Sequence, residues 1–323
     1  MDKKEQNPSA EGGCPMGNKR QSPADQAVLE QTLRDQTNVG AEASEGGCPM
    51  GFGGITSGGH TSLTYNSYLK VEDLKSLQIC QSDPAHHDEP LFIIIHQTYE
   101  LWFKLIIHEL DLVVELMKED RVRKATHFMK RVSAIMRVLV AQIHILETMA
   151  PRDFLGFRHK LNPASGFQSS QFREIEFMAG LKDERMLSHF QSDKEAHEAL
   201  SKRFNGETLG EVFYEMLRRH TFTLPMPKPS DDEETVKKLE AERIRELCRM
   251  YEDESLTDLH DLAESFIDLD ELISLWRTHH VTVVERIIGF KRGTGGSEGV
   301  GYLRSTLHKR CFPELWSLRT ALV

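Results

Sequence analysis

The chain has 323 residues, 39% of them hydrophobic and 28% charged, with Lys+Arg 40 against Asp+Glu 50 and a net charge of -10. That acidic balance argues against a dedicated nucleic-acid binder, which would concentrate basic charge on one face, and the greasiest stretch, residues 91–117, is broken by His96, Glu100, Lys104 and His108, so no membrane span is expected. The opening MDKKEQNPSAEGG lacks an apolar core and the five cysteines are scattered, which makes the cytoplasm the expected compartment.

Residues 1–62 are poor in large apolar side chains and rich in Gly, Ser, Gln and Glu, so they cannot bury enough surface to offset their ordering entropy. A disordered arm is expected there. It carries the phrase EGGCPMG twice, at Glu11–Gly17 and Glu45–Gly51. Each copy sets a thiol, Cys14 or Cys48, before a proline that holds it on extended chain. Such Cys-Pro pairs resemble haem-responsive motifs; the plainer reading is a flexible arm with two incidental thiols.

From Leu63 to Val323 the pattern is helical and reads as one domain. Apolar residues at 92, 99, 103, 106, 110 and 113 recur at helical spacing, with His96 filling the missing step. A second helix is expected over 127–149, stopping before Pro151. Shorter ones follow over 172–179 and 184–204. TLPMPKPS at 223–230 is a rigid connector, and Ser-Asp-Asp-Glu-Glu then opens a solvated helix over 230–254. The longest helix is expected over 256–289, closed by Gly289. Alternating runs bounded by turn dipeptides are lacking, so the fold class is all-α, a helical bundle.

Two histidines occupy steps where a plain core would place Leu. His96 shares a stripe with Phe92, Tyr99 and Phe103; His280 continues Leu269, Ile273 and Trp276. A lone His on an apolar face is usually a hydrogen-bonded core residue, but two on the two most apolar helices suit haem, whose flat ring wants apolar walls and whose iron wants a neutral nitrogen. Periodicity leaves a tie between His279 and His280, because Leu272, Trp276, His279 and Val283 form a nearly equal stripe. Zinc is the rival, yet no HExxH or paired CxxC occurs, and His86-His87 reads as a turn with exposed imidazoles. After the longest helix, KRGTGGSEGVGY (291–302) lacks the GK[ST] ending of a phosphate loop, but its glycines let backbone approach a ligand, with Thr294 as an added polar group. Arg158, set between FLGF and a Gly-containing loop, is either a surface ion-pair partner or a planar fork for a carboxylate.

Five phrases in order, LTYNSYLKVEDL (63–74), PAHHDEPLFIIIHQTYELWFK (84–104), FLGFRHKLNPASGFQSSQFR (154–173), LWRTHHVTVVERIIGFKRGTGG (275–296) and FPELWSLRTAL (312–322), resemble the tryptophan 2,3-dioxygenase family. The resemblance covers essentially the whole chain after residue 62. It implies a helical homotetramer that binds haem b and inserts O2 across the indole C2–C3 bond of L-tryptophan, giving N-formyl-L-kynurenine, the first step of the kynurenine pathway. It implies His280 as the axial ligand of the haem iron, which would break the tie with His279, and His96 as the distal residue that meets the indole N–H. Phe92 would pack on the indole, Arg158 would hold the substrate carboxylate, and Thr294 would hold the amino-acid head group. Phe154 stands where some members have tyrosine, so a phenol hydrogen bond is lost there. Tyr65, Tyr68 and Leu69 match a segment that reaches into a neighbouring subunit's pocket. Trp102 is expected only to pack. On the arm and its Cys-Pro phrases the resemblance is silent.

Overall fold

The computed structural model describes residues 63–295 and 298–322; the arm expected over 1–62, with Cys14 and Cys48, lies outside the described residues. The chain divides into two compact units, Met1–Val71 and Glu72–Val323. The described part of the first holds one short helix, α1 (Tyr65–Leu69). A reciprocal cap starts it: Ser67 N donates to the Thr64 hydroxyl while Thr64 N donates to the Ser67 hydroxyl. It ends at Lys70 in the left-handed region, φ 54°.

The second unit is helical throughout, and no strand occurs among the described residues. After α2 (Val71–Lys75) come α3 (Glu89–Lys118) and α4 (Val122–Leu146), then α5 (Pro151–Arg158), α6 (Ser170–Met178), α7 (Glu184–Ser188) and α8 (Lys194–Asn205). The remainder is α9 (Leu209–Arg219), α10 (Glu233–Glu252), α11 (Thr257–Ile288), α12 (Val300–Ser305) and α13 (Pro313–Ala321). The three long apolar stripes fold as their spacing requires, with α3 and α11 packed along α4. Ile106, Leu110, Met129, Leu139, Leu262 and Phe266 are fully buried between them, each contributing about 1.5–3 kcal/mol of transfer free energy. A buried hydrogen bond from the Tyr99 hydroxyl to the Leu139 carbonyl, 2.9 Å, fixes how α3 lies on α4.

Four details depart from the sequence expectation. Pro151 lies beyond α4 and also opens α5, because a first-turn proline loses an N–H that had no helical partner anyway. The helix expected over 184–204 breaks at 189–193, where Asp193 turns its carboxylate to Ala196 N and caps a new start. The helix α9 was not anticipated, although Thr208 and Glu211 form a capping box at its head. Finally, α10 starts on the Asp232 cap but is not wholly solvated: Arg243, Leu247 and Met250 fall on one face and are buried. Arg243 there pairs with Glu314 of α13.

Membrane-spanning length and hydropathy are not reached by any single helix among the described residues. What the fold brings together for function is the N-terminal half of α3, α5 and the C-terminal half of α11.

Candidate active site

Phe92 and His96 are one turn apart on α3, and their ring centroids are 4.1 Å apart. The His96 Nδ1 lies 2.7 Å from the Phe92 carbonyl oxygen. A carbonyl only accepts, so Nδ1 carries the hydrogen and Nε2 keeps a bare lone pair. Burial lowers the His96 pKa below the ordinary histidine value, against the opposing pull of the Phe92 carbonyl and the Glu100 carboxylate. The ring is therefore neutral, with one acceptor nitrogen free.

From α5, Phe154 stacks on Phe92 at 5.4 Å, and Phe157 meets both rings from below. The floor is extended by His86, whose imidazole lies 5.4 Å from the Phe157 ring and fills the space where a Cβ on Gly156 would stand, 2.9 Å from Nε2. This corrects the expectation for the pair His86-His87: His87 is exposed beside Asp88, but His86 is packed. Among the described residues no cluster of three His, Cys, Asp or Glu groups is arranged to hold a metal ion.

On α11, the structure separates the two tied histidines. His279 turns toward His144, edge-on at 5.0 Å. His280 lies flat on the Trp276 indole, 5.1 Å between centroids and 20° between planes. Trp276 is itself wedged against Phe172 and Tyr99. Burial first, and the nearby His96 second, pull the His280 pKa down to about 4. Its spacing one turn after Trp276 is legible in sequence; Trp276 as its shelf is not.

Two loops close one end. The Arg158 guanidinium donates to the Arg292 carbonyl, and the Thr294 hydroxyl donates to the Ala164 carbonyl at 2.5 Å. The second contact is possible because Gly295 lies flush on the first loop, where a Cβ would stand 2.7 Å from the Ser165 Cβ. No carboxylate among the described residues pairs with Arg158, so part of its fork remains available. Phe92, His96, Phe154 and His280 are thus neighbours, while Arg158 at the end of α5 and Thr294 are linked through the contacts of the glycine-rich loop. Tyr65, Tyr68 and Leu69 lie on α1 in the first unit, exposed. Trp102 packs against the core.

The model of the family described as tryptophan 2,3-dioxygenase matches residues 53–221 and 236–322. The chain belongs to the tryptophan 2,3-dioxygenase family. A protein named tryptophan 2,3-dioxygenase from Myxococcus xanthus is 42% identical over 260 residues, 80% of this chain and 89% of its own length. Those of the same name from Herpetosiphon aurantiacus and Bacillus thuringiensis are 43% and 38% identical, over 81% and 83% of this chain and 99% and 96% of theirs.

Tryptophan 2,3-dioxygenases depend on haem, and these residues fit that group. A histidine that serves as axial ligand must be neutral and have an uncommitted nitrogen. Neither ring nitrogen of His280 has a hydrogen-bond partner among the described residues, and the ring stays neutral throughout the physiological range. Phe92, His96, Trp276 and His280 are each half-buried, and burial lowers the pKa of both histidines.

Proposed function

We propose that His280 is the protein ligand of haem iron and that His96, Phe92, Phe154, Arg158 and Thr294 bind and orient the substrate of the family reaction. In that reaction both atoms of O2 are inserted across the indole C2–C3 bond of L-tryptophan, and N-formyl-L-kynurenine enters the kynurenine pathway. Haem, when bound, supplies the iron that makes O2 reactive toward the indole. The observation that carries the assignment is a pair of neighbouring neutral imidazoles: His280 unpaired and His96 with only Nε2 free.

Each group has a task its chemistry suits. The Nε2 lone pair of His96 accepts the indole N–H, which fixes the C2–C3 edge. It orients rather than abstracts, because an indole N–H is very weakly acidic. Phe92 and Phe154 give the indole apolar walls and exclude water. The Arg158 fork holds the carboxylate bidentately, and Thr294 completes the head-group site. With Phe154 in place of a tyrosine, that wall offers no phenol to the substrate. Residues 63–323 act as one catalytic domain, and the enzyme works in the cytoplasm. It assembles as a homotetramer in which Tyr65, Tyr68 and Leu69 complete a neighbour's pocket; their exposure on α1 supports that reading.

Replacing Arg158 with Ala tests the substrate side. Loss of a buried carboxylate partner costs about 2–5 kcal/mol, so KM for L-tryptophan should rise at least about thirtyfold while turnover of tryptamine, which lacks the carboxylate, stays near wild type. Equal losses for both substrates would remove the carboxylate role. On the iron side, His280→Ala should purify without haem and His279→Ala with it; the reverse pattern would reassign the ligand.

A further inference from the structure

Arg158 is the last residue of α5, and Thr294 lies in the glycine-rich loop before α12. The loop that follows α5 and the glycine-rich loop both lead to one side-chain cluster. At its centre is Arg173 of α6, with 8% of its surface exposed. Its guanidinium lies 5.1 Å over the Phe167 ring and 5.8 Å from Phe172. Phe167 belongs to the loop that follows Arg158 and meets Tyr302 edge-on at 5.4 Å. Tyr302 stands on α12, immediately beyond the glycine-rich loop that carries Thr294. One cation therefore holds a ring from the first loop against a ring anchored at the far end of the second.

The cluster is braced from below. Glu176 divides its carboxylate between Arg173 Nη1 and Arg277 Nη2. Arg277, 4% exposed, also donates to the carbonyls of Thr306 and Lys309, 3.4 and 3.5 Å away, where α12 ends. It lies three residues before His280 on α11. Two arginines on one buried carboxylate are a poor stability device, since apolar side chains of equal volume would pack as well without the desolvation cost. What planar forks and stacked rings add is direction: they admit one arrangement of the parts they join.

We propose that Arg173 is a positioning residue for the amino-acid head group, acting through Phe167 and Tyr302 and braced by Glu176 and Arg277, so that the loop after Arg158 and the glycine-rich loop of Thr294 keep register with the helix of His280. The proposal rests on the head-group roles of Arg158 and Thr294. Loosening this cluster shifts the glycine-rich loop, and with it Thr294 and the Arg292 carbonyl that sets the Arg158 fork, while Phe92 and Phe154 stay on α3 and α5.

The test uses the haem-loaded enzyme with Arg173→Lys, which keeps the charge and loses the fork, and Phe167→Leu, which keeps the apolar volume and loses the ring face. Calorimetry gives Kd for L-tryptophan and for tryptamine, and steady-state assays give kcat and KM. A loop shift loosens the charge-assisted contacts to the head group without removing them, so L-tryptophan should bind about tenfold more weakly. Affinity for tryptamine, kcat and haem content should stay within about threefold. Combined with Arg158→Ala, each variant should weaken binding less than it does alone, because part of its effect passes through Arg158. Wild-type affinity for L-tryptophan in both variants, while Arg158→Ala weakens it, overturns the proposal alone; so does an equal loss for L-tryptophan and tryptamine, the mark of general disruption. Wild-type affinity in Arg158→Ala overturns the head-group assignment and the positioning role with it.

Discussion

A single carbonyl decides which nitrogen of His96 can serve. Because Phe92 O occupies Nδ1, substrate must meet Nε2, and it must meet it unprotonated. The His96 pKa is lowered by burial, so the acceptor is present above that lowered value and lost only as pH falls through it. The acid limb of kcat/KM should therefore lie below pH 6.5, the ordinary histidine value; a limb at or above it would contradict the neutral-acceptor role. Replacing His96 with Ala removes one buried hydrogen bond worth about 1–3 kcal/mol, so kcat/KM should fall about 10- to 100-fold rather than vanish. A second residue-scale expectation concerns Gly295. An added Cβ would meet Ser165 at 2.7 Å, pushing apart the loops joined by Thr294 and Ala164, so Gly295→Ala should raise KM for L-tryptophan without loss of haem. Sequence periodicity placed both histidines on apolar stripes but left His279 and His280 level. A stripe fixes an angle around the helix, not what stands opposite, and it is Trp276 on one side and His144 on the other that part them.

Elements whose apolar period runs unbroken were legible: α11 begins and ends one residue inside the expected 256–289, while α4 starts five residues before the expected 127 and stops three before 149. Short elements were not. The break between α7 and α8 is invisible to hydropathy because Leu187 and Phe190 carry the apolar pattern through it into their own small core with Phe177 and Leu200. The site suffered in the same way, since α5 and the loops around it owe their place to contacts distant in sequence. One such contact pins the C-terminal helix. Asp270 of α11 is fully buried, and its Oδ2 accepts from Cys311 N, Phe312 N and the Trp316 indole N–H at 2.9, 3.1 and 2.9 Å. Asp270→Ala strands three donors at once. It should lower unfolding free energy by about 3–5 kcal/mol, read as the urea midpoint of the holoenzyme, whereas a change below about 1 kcal/mol would show that α13 docks by apolar packing alone.

At the scale of the molecule, the outward faces of α3 and α4 expose Ile94, Leu101, Val138 and Ile145, apolar surface of the sort that subunits cover. If α1 completes a neighbour's pocket, defects in different subunits should complement. Chains carrying Tyr68→Ala, co-expressed with chains carrying Arg158→Ala, should form mixed oligomers more active than either alone, since some pockets draw Arg158 from one chain and Tyr68 from another. Absence of recovery in oligomers shown to be mixed would confine α1 to its own subunit. Labelled dioxygen tests whether this chain is a dioxygenase for L-tryptophan. Ferrous haem-loaded enzyme supplied with L-tryptophan under 18O2 should release N-formyl-L-kynurenine carrying two labelled oxygens. Product with one label, or haem-loaded enzyme that consumes no oxygen with tryptophan, would contradict the account.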